Sequence, residues 1–222
     1  MHLRFKLAGT ALTLGGLTAA TCHVFGFEAS AEVSHVANYA RFAEPIHLVL
    51  FASVLLVLLG WCEQHLQQSS DPGSMGSASF VFLFLGIACG DLVHCTLEFS
   101  VFPVLGSMVP YALPGIAEAT YRSAAVSNLI WAGQAMMFLG VVTRALSIRR
   151  SRSLPMWETA PMMISAVLLA LGLFPQFSPA IVPASMAAFY VSIAVLGVST
   201  FCARRASRKP SALAEAAAKD AS

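Results

Sequence analysis

Apolar residues fall into six long runs along the chain, and the segments between them are richer in polar residues, glycine and proline. A helix needs about 20 mainly apolar residues to cross the hydrocarbon core of a bilayer. Each run therefore predicts a transmembrane helix, and the six lie at residues 7–27, 43–62, 79–101, 123–143, 157–175 and 180–202. The predicted fold is an all-α integral membrane protein, a six-helix bundle over 1–203 followed by a basic, then low-complexity, cytoplasmic tail over 204–222.

The overall composition supports a membrane protein. Of the 222 residues, 57% are hydrophobic and 11% are charged, and the mean hydropathy is +0.74. A soluble domain carries about 25% charged residues. The short basic segment at 204–209 follows an apolar run, which is typical of an anchor at the membrane edge. The expected partner is therefore the lipid bilayer and not nucleic acid, while a membrane-protein partner or a homo-oligomer is left open.

The lysines and arginines predict the orientation, because they are enriched in cytoplasmic loops. With the N-terminus in the cytoplasm, eleven of the thirteen fall on the inner side, and only Arg41 and Arg122 fall on the outer side. We therefore expect a multi-pass protein of a bacterial-type inner membrane with both termini cytoplasmic. As an alternative, residues 1–22 resemble a signal peptide, whose cleavage would leave five spans. Residues 103–119 are apolar, but their three prolines favour an outer loop over a seventh span.

The third predicted span contains three ionisable residues, Asp91, His94 and Glu98. Their spacing of three and four residues places them on one face of an α-helix. A charge at the centre of a membrane helix costs about 2.5–3.5 kcal/mol, so these side chains are expected to face the bundle interior and to have partners. Asp91 lies near mid-span, where it can stay ionised only beside a cation such as a bound metal or a protonated His94.

Histidines on three consecutive helices are predicted to share one depth in the membrane. At 1.5 Å of rise per residue, His23, His47 and His94 lie at comparable distances outward from the midplane. Further polar residues near this layer are Glu44, Glu98, Glu118, Tyr121 and Asn128. The fifth and sixth spans carry no charged residue between Thr159 and Ala203 and are predicted to be scaffold.

This layer predicts a metal ion or a b-type haem near the outer face, because neutral imidazoles ligate iron, zinc and copper, and carboxylates complete or orient the ligand set. His47 and His94 are the predicted axial pair for a haem iron. A single metal ion would use His47, His94 and Glu98, with His23 or Glu44 as a fourth ligand. The residues predicted to orient these ligands or to relay protons are Asp91, Glu44, Glu118, Tyr121 and Asn128.

Sulfur-containing residues are predicted to be packing residues rather than ligands. The five cysteines form no CxxC pair, and buried free cysteine behaves as a small hydrophobic residue. The methionine pairs at 136–137 and 162–163 are expected to lie in the other half of the molecule, away from the histidine layer.

Three other functions fit the same residues. A cation or proton-coupled transporter would use the acidic outer half and Asp91, but no ionisable residue is predicted to continue the path through the cytoplasmic half. A small membrane enzyme acting on a lipid would use His94 and Glu98 to move protons. A structural subunit or assembly factor would need only a hydrogen-bonded polar network.

Overall fold

The structure, a computed structural model, describes residues 2–31, 44–68, 73–109, 111–151, 156–174 and 181–207. These ranges are almost entirely helical and contain no strand. The seven helices described are α1 (His2–Ala31), α2 (Glu44–Gln68), α3 (73–108), α4 (Leu113–Arg122), α5 (Ala124–Ser151), α6 (Met156–Gly172) and α7 (Ile181–Ser207). The predicted tail from residue 208 onward and the loop that contains His35 lie outside the described residues.

Five helices are long and apolar enough to cross a membrane, and their apolar segments are Lys6–Phe25, Glu44–Leu66, Ser74–Met108, Ala124–Arg150 and Ile181–Cys202. The apolar part of α6, Thr159–Gly172, is shorter, and Pro161 lies inside this helix. The predicted all-α fold is therefore confirmed, together with five candidate membrane spans. A sixth span, over α6, stays a prediction.

Close contacts at glycine hold α1 between α2 and α7. A Cβ added at Gly15 would meet the carbonyl oxygen of Ser53 on α2 at 2.8 Å, and one at Gly16 would meet the carbonyl oxygen of Tyr190 on α7 at 2.7 Å. Membrane helices associate through such small residues because backbones can then approach closely. A Cβ at Gly133 of α5 would likewise meet the backbone nitrogen of Gly90 on α3 at 2.5 Å.

A further contact between glycines places the start of α1 beside the end of α7. Gly9, near the start of α1, faces Gly197, near the end of α7. We call this the terminal end of the bundle, and we call the end where α1 finishes and α2 begins the far end. At the far end, the indole nitrogen of Trp131 donates to the carbonyl oxygen of Leu173 at 3.4 Å. The end of α6 therefore lies beside the start of α5.

Candidate functional site: a buried histidine and carboxylate cluster

Helix α3 departs from α-helical geometry at its two acidic residues. Residues Ala88–Leu92 and Leu97–Val101 form π-helical turns, and the four residues Val93–Thr96 between them are α-helical. Asp91 lies in the first turn and Glu98 in the second. Each π turn accommodates one extra residue and so changes the side-chain register by about 100° relative to a regular α-helix. Such turns occur frequently at functional sites.

Asp91 lies where α3 meets α1 and α7. The hydroxyl group of Tyr190 on α7 donates a hydrogen bond to its Oδ2 atom. The Nε2 atom of His23 on α1 lies 3.5 Å from the same oxygen. The His23 and Tyr190 rings stack, with centroids 5.5 Å apart and an interplanar angle of 14°. Two other helices thus place polar groups around a carboxylate that is only 4% exposed.

A second set of contacts joins His94, Tyr121 and Glu98. The Tyr121 hydroxyl donates to Oε1 of Glu98 at 2.5 Å and lies 2.9 Å from Nδ1 of His94. Because the single phenol proton is directed at Glu98, the Tyr121 oxygen accepts a hydrogen bond from Nδ1–H of His94. A neutral His94 then carries its free lone pair on Nε2. The second π turn and helix α4 therefore favour the Nδ1–H tautomer of this histidine.

His47 and His94 are in direct contact across α2 and α3. Their ring centroids are 5.2 Å apart and the rings meet edge to face at 73°. His47 is 4% exposed, although it lies within the first turn or so of α2. The predicted juxtaposition of these two histidines is therefore present in the structure, as a ring-to-ring contact.

A cavity of about 180 Å³ lies among these helices. Its polar wall consists of His23, His47, Asp91, His94 and Gln134, and the remaining wall is apolar or carries sulfur. The volume suffices for several water molecules or a small ligand. It falls below the roughly 300–1,000 Å³ of pockets that bind drug-sized molecules.

Six of the nine residues predicted for the site come together in one cluster. With the addition of Tyr190, this His–carboxylate cluster consists of His23, His47, Asp91, His94, Glu98, Tyr121 and Tyr190. The imidazole expected beside Asp91 was that of His94, whereas the ring within ion-pair distance belongs to His23.

The structure does not bring the other three predicted residues into the cluster. Glu118 is 61% exposed in its side chain and forms an ion pair of 2.8 Å with Arg122 on the same helix. Asn128 is exposed on α5, and Glu44 is partly exposed in the first turn of α2. Ser123 is extended and separates α4 from α5, so Glu118 and Asn128 do not lie on one continuous helix.

Sequence reasoning missed Tyr190 because it assigned the last span to scaffold. A usable signal was present: Tyr190 is a tyrosine near the middle of an apolar span, and a buried tyrosine hydroxyl usually has a hydrogen-bond partner. Asp91 lies at a similar depth in its own span. The argument from depth that grouped the histidines would therefore have predicted a contact between Tyr190 and Asp91.

The half of the bundle near the terminal end contains a buried cation. Arg144 of α5 is 8% exposed, and its guanidinium carbon lies 5.3 Å from the ring centroid of Trp61 on α2. This corrects the expectation that no ionisable residue lies along that half of the bundle. The error arose because the fourth span was predicted to end at 143, whereas α5 continues to Ser151.

Comparison with known proteins does not assign the chain to a family. No protein-family model, no curated protein and no solved structure matches the chain. Within the ranges that the structure describes, no group of three or more His, Cys, Asp or Glu side chains is placed so that it could hold a metal ion.

Proposed function

We propose that the chain crosses a bacterial-type inner membrane six times, with both termini in the cytoplasm and the His–carboxylate cluster in the outer half. Two observations support an even number of crossings. The contact between Gly9 and Gly197 places the start of α1 and the end of α7 at the terminal end of the bundle. The contact between Trp131 and Leu173 places the end of α6 at the far end. The eleven-to-two distribution of basic residues favours the terminal end as the cytoplasmic one.

We propose that this protein binds one metal ion in the cavity of the cluster. The observation that carries the proposal is that imidazoles from three helices, those of His23, His47 and His94, line one cavity together with Asp91. Imidazole and carboxylate groups are the usual protein ligands of zinc, iron and copper. Buried ionisable residues in membrane helices mark functional sites by default.

The environment of His94 supports a role as a ligand. A metal-binding histidine usually donates its other ring N–H to a fixed acceptor, which sets the tautomer and the ring orientation. Tyr121, itself hydrogen-bonded to Glu98, provides such an acceptor at Nδ1. The Nε2 lone pair of His94 is thereby available to an ion.

Binding requires side-chain rearrangement, because the donors do not converge as they stand. His23 lies against Asp91 and Tyr190, and His47 lies against His94. A ligand that binds the converged arrangement more tightly would shift the population towards it. A single ion is favoured over a b-type haem, because the His47 and His94 rings touch and the cavity measures only about 180 Å³.

The test is metal analysis of detergent-purified protein, as isolated and after titration with Co²⁺ or Zn²⁺, together with an absorption spectrum. We expect one ion per chain, no Soret band, and loss of the ion in His94→Ala. The matched control is His65→Ala on α2, whose ring stacks on Phe80 with centroids 4.1 Å apart, away from the cavity. Equal metal content in the two variants, or no uptake by the unchanged protein, would refute the proposal. A Soret band would establish haem instead.

Proton-coupled cation transport is a second candidate, favoured by the hydrogen-bonded pairs in the cluster and by the buried Arg144. Residues in such positions relay protons in pumps and transporters. The measurement is proton flux in proteoliposomes that contain a pH-sensitive dye. Transport predicts cation-dependent flux that Asp91→Asn abolishes, and flux equal to that of empty vesicles would reject it.

A further inference from the structure

We propose that the ion bound in the cavity is copper(I), held by sulfur as well as imidazole; this inference rests on the metal-binding function proposed above. The cavity wall contains three sulfur-bearing side chains, Cys22, Met137 and Met186, in addition to the three imidazoles. They come from three different helices, α1, α5 and α7. The cavity wall therefore includes residues with soft donor atoms as well as imidazoles.

Met137 of α5 and Met186 of α7 both lie on the cavity wall. Met137 was expected to lie away from the histidine layer, but its side chain lines the cavity. Its methyl carbon lies 2.9 Å from the position of a Cβ added at Gly90, the residue before Asp91 in the first π turn. Met186 precedes Tyr190 by one turn on α7 and is 4% exposed. Both methionines thus line the same cavity as Asp91.

The donor chemistry selects among metals. Thiolate and thioether ligands favour copper(I), whereas carboxylate, carbonyl and water oxygens favour magnesium, calcium and manganese. Oxygen donors on the cavity wall are few, and the side-chain ones come from Asp91 and Gln134. A structural zinc site takes four ligands in a tetrahedron, and no converged set of three His, Cys, Asp or Glu side chains is found among the described residues. Copper(I) accepts two or three ligands, so one or two imidazoles with a thioether would suffice.

Cys22 adds a third sulfur donor beside His23. It is a free cysteine, 8% exposed, and it lies on the cavity wall. The thiolate is the metal-binding form of cysteine, so copper binding through Cys22 would release a proton. Thioether ligands release no proton when they bind a metal. Substitution of the methionines therefore tests metal binding without a change in proton release.

The experiment compares copper(I) and zinc(II) affinities of the detergent-purified full chain under anaerobic conditions, by competition with chromophoric chelators. Silver(I) serves as a redox-inert copper(I) analogue. The variants are Met186→Leu and Met137→Leu, which nearly conserve side-chain volume. The control is Met163→Leu on α6, whose side chain is 50% exposed. The melting temperature of every sample is measured. If one of the two cavity variants is misfolded, the comparison uses the other cavity variant.

We expect the unchanged protein to bind copper(I) and silver(I) more tightly than zinc(II). At least one of the two cavity variants should lose about tenfold or more in copper(I) affinity, whereas Met163→Leu should lose none. X-ray absorption of the copper-loaded protein should show copper–sulfur scattering that weakens in Met186→Leu. Copper binding unaffected by both cavity variants, or tighter zinc binding, would overturn the copper assignment and leave the metal-binding proposal standing. Failure to bind any of the three ions would overturn both.

Discussion

Tyr190 of α7 donates a hydrogen bond to Asp91 in the first π turn of α3, across 99 residues of sequence. Both side chains are buried, and the stacked ring of His23 lies on the tyrosine. The bond connects the last helix to the third and fixes the Asp91 carboxylate near the cavity. The cluster therefore depends on a helix that carries no charged residue within its predicted span.

Removing the Tyr190 hydroxyl tests this connection. Tyr190→Phe should lower the free energy of unfolding by about 1.5–3 kcal/mol, the range for hydrogen bonds to charged groups. The measurement is thermal or denaturant unfolding in detergent. Tyr111→Phe is the control, because Tyr111 is fully exposed and should change stability by less than about 0.5 kcal/mol. Equal stability of the two variants would show that the Tyr190–Asp91 bond contributes nothing.

The charge of Asp91 can be tested separately from its shape. Asp91→Asn keeps the side chain nearly isosteric but removes the negative charge. If Asp91 balances a buried cation, such as a bound metal or a protonated His23, the change should cost about 3–5 kcal/mol and the ion should be lost. If it is only a structural hydrogen-bonding group, the cost should be about 1 kcal/mol. We expect the larger effect. The melting temperature and the metal content are measured on the same sample, and the control is Glu118→Gln, because the Glu118 side chain is exposed.

Tyr121 should affect metal affinity without being a ligand. Tyr121→Phe removes the hydroxyl that joins Glu98 to Nδ1 of His94. Groups that orient a metal-binding histidine typically contribute 10- to 100-fold to affinity. We therefore expect a metal affinity about 10- to 100-fold weaker, at unchanged stoichiometry, in an equilibrium titration. An affinity equal to that of the unchanged protein would mean that His94 needs no such acceptor.

The contact between α3 and α5 should tolerate no side chain at Gly133. A Cβ there would meet the backbone nitrogen and Cα of Gly90 at 2.5 and 2.8 Å. These are backbone atoms, so Gly133→Ala must displace α3 and its first π turn, at about 1–3 kcal/mol for overpacking. Gly115→Ala is the matched control, because a Cβ at Gly115 meets nothing within 4 Å. Unfolding should separate the two variants, and equal stability would contradict the close approach.

The proposed orientation predicts which loops react from outside. Tyr111, between α3 and α4, should face outward, and Arg150, near the end of α5, should face inward. In a chain whose five cysteines are replaced, a membrane-impermeant maleimide should label Tyr111→Cys in right-side-out vesicles. It should label Arg150→Cys only after permeabilisation, and both positions are exposed. The reverse pattern would invert the molecule and place the cluster in the inner half.

Sequence alone determined the helical class and most helix positions. In a bilayer, backbone groups must be satisfied within the protein, so long apolar runs form helices. The constant rise of 1.5 Å per residue then gave the depth of each side chain. His23, His47 and His94 could be assigned to one layer on this basis, and the structure places all three on the cavity wall. These inferences needed only the distance along each helix.

Tertiary structure decided everything that depends on helix rotation and on departures from regular geometry. The spans are apolar on most faces, because lipid and neighbouring helices are both apolar, so periodicity does not reveal which side of α7 carries a partner for Asp91. The two π turns of α3 and the break at Ser123 changed the register of the residues that follow them. They brought Glu98 and Tyr121 together and left Asn128 exposed. Rotation and register are set by packing between distant segments, which the order of residues along one helix does not contain.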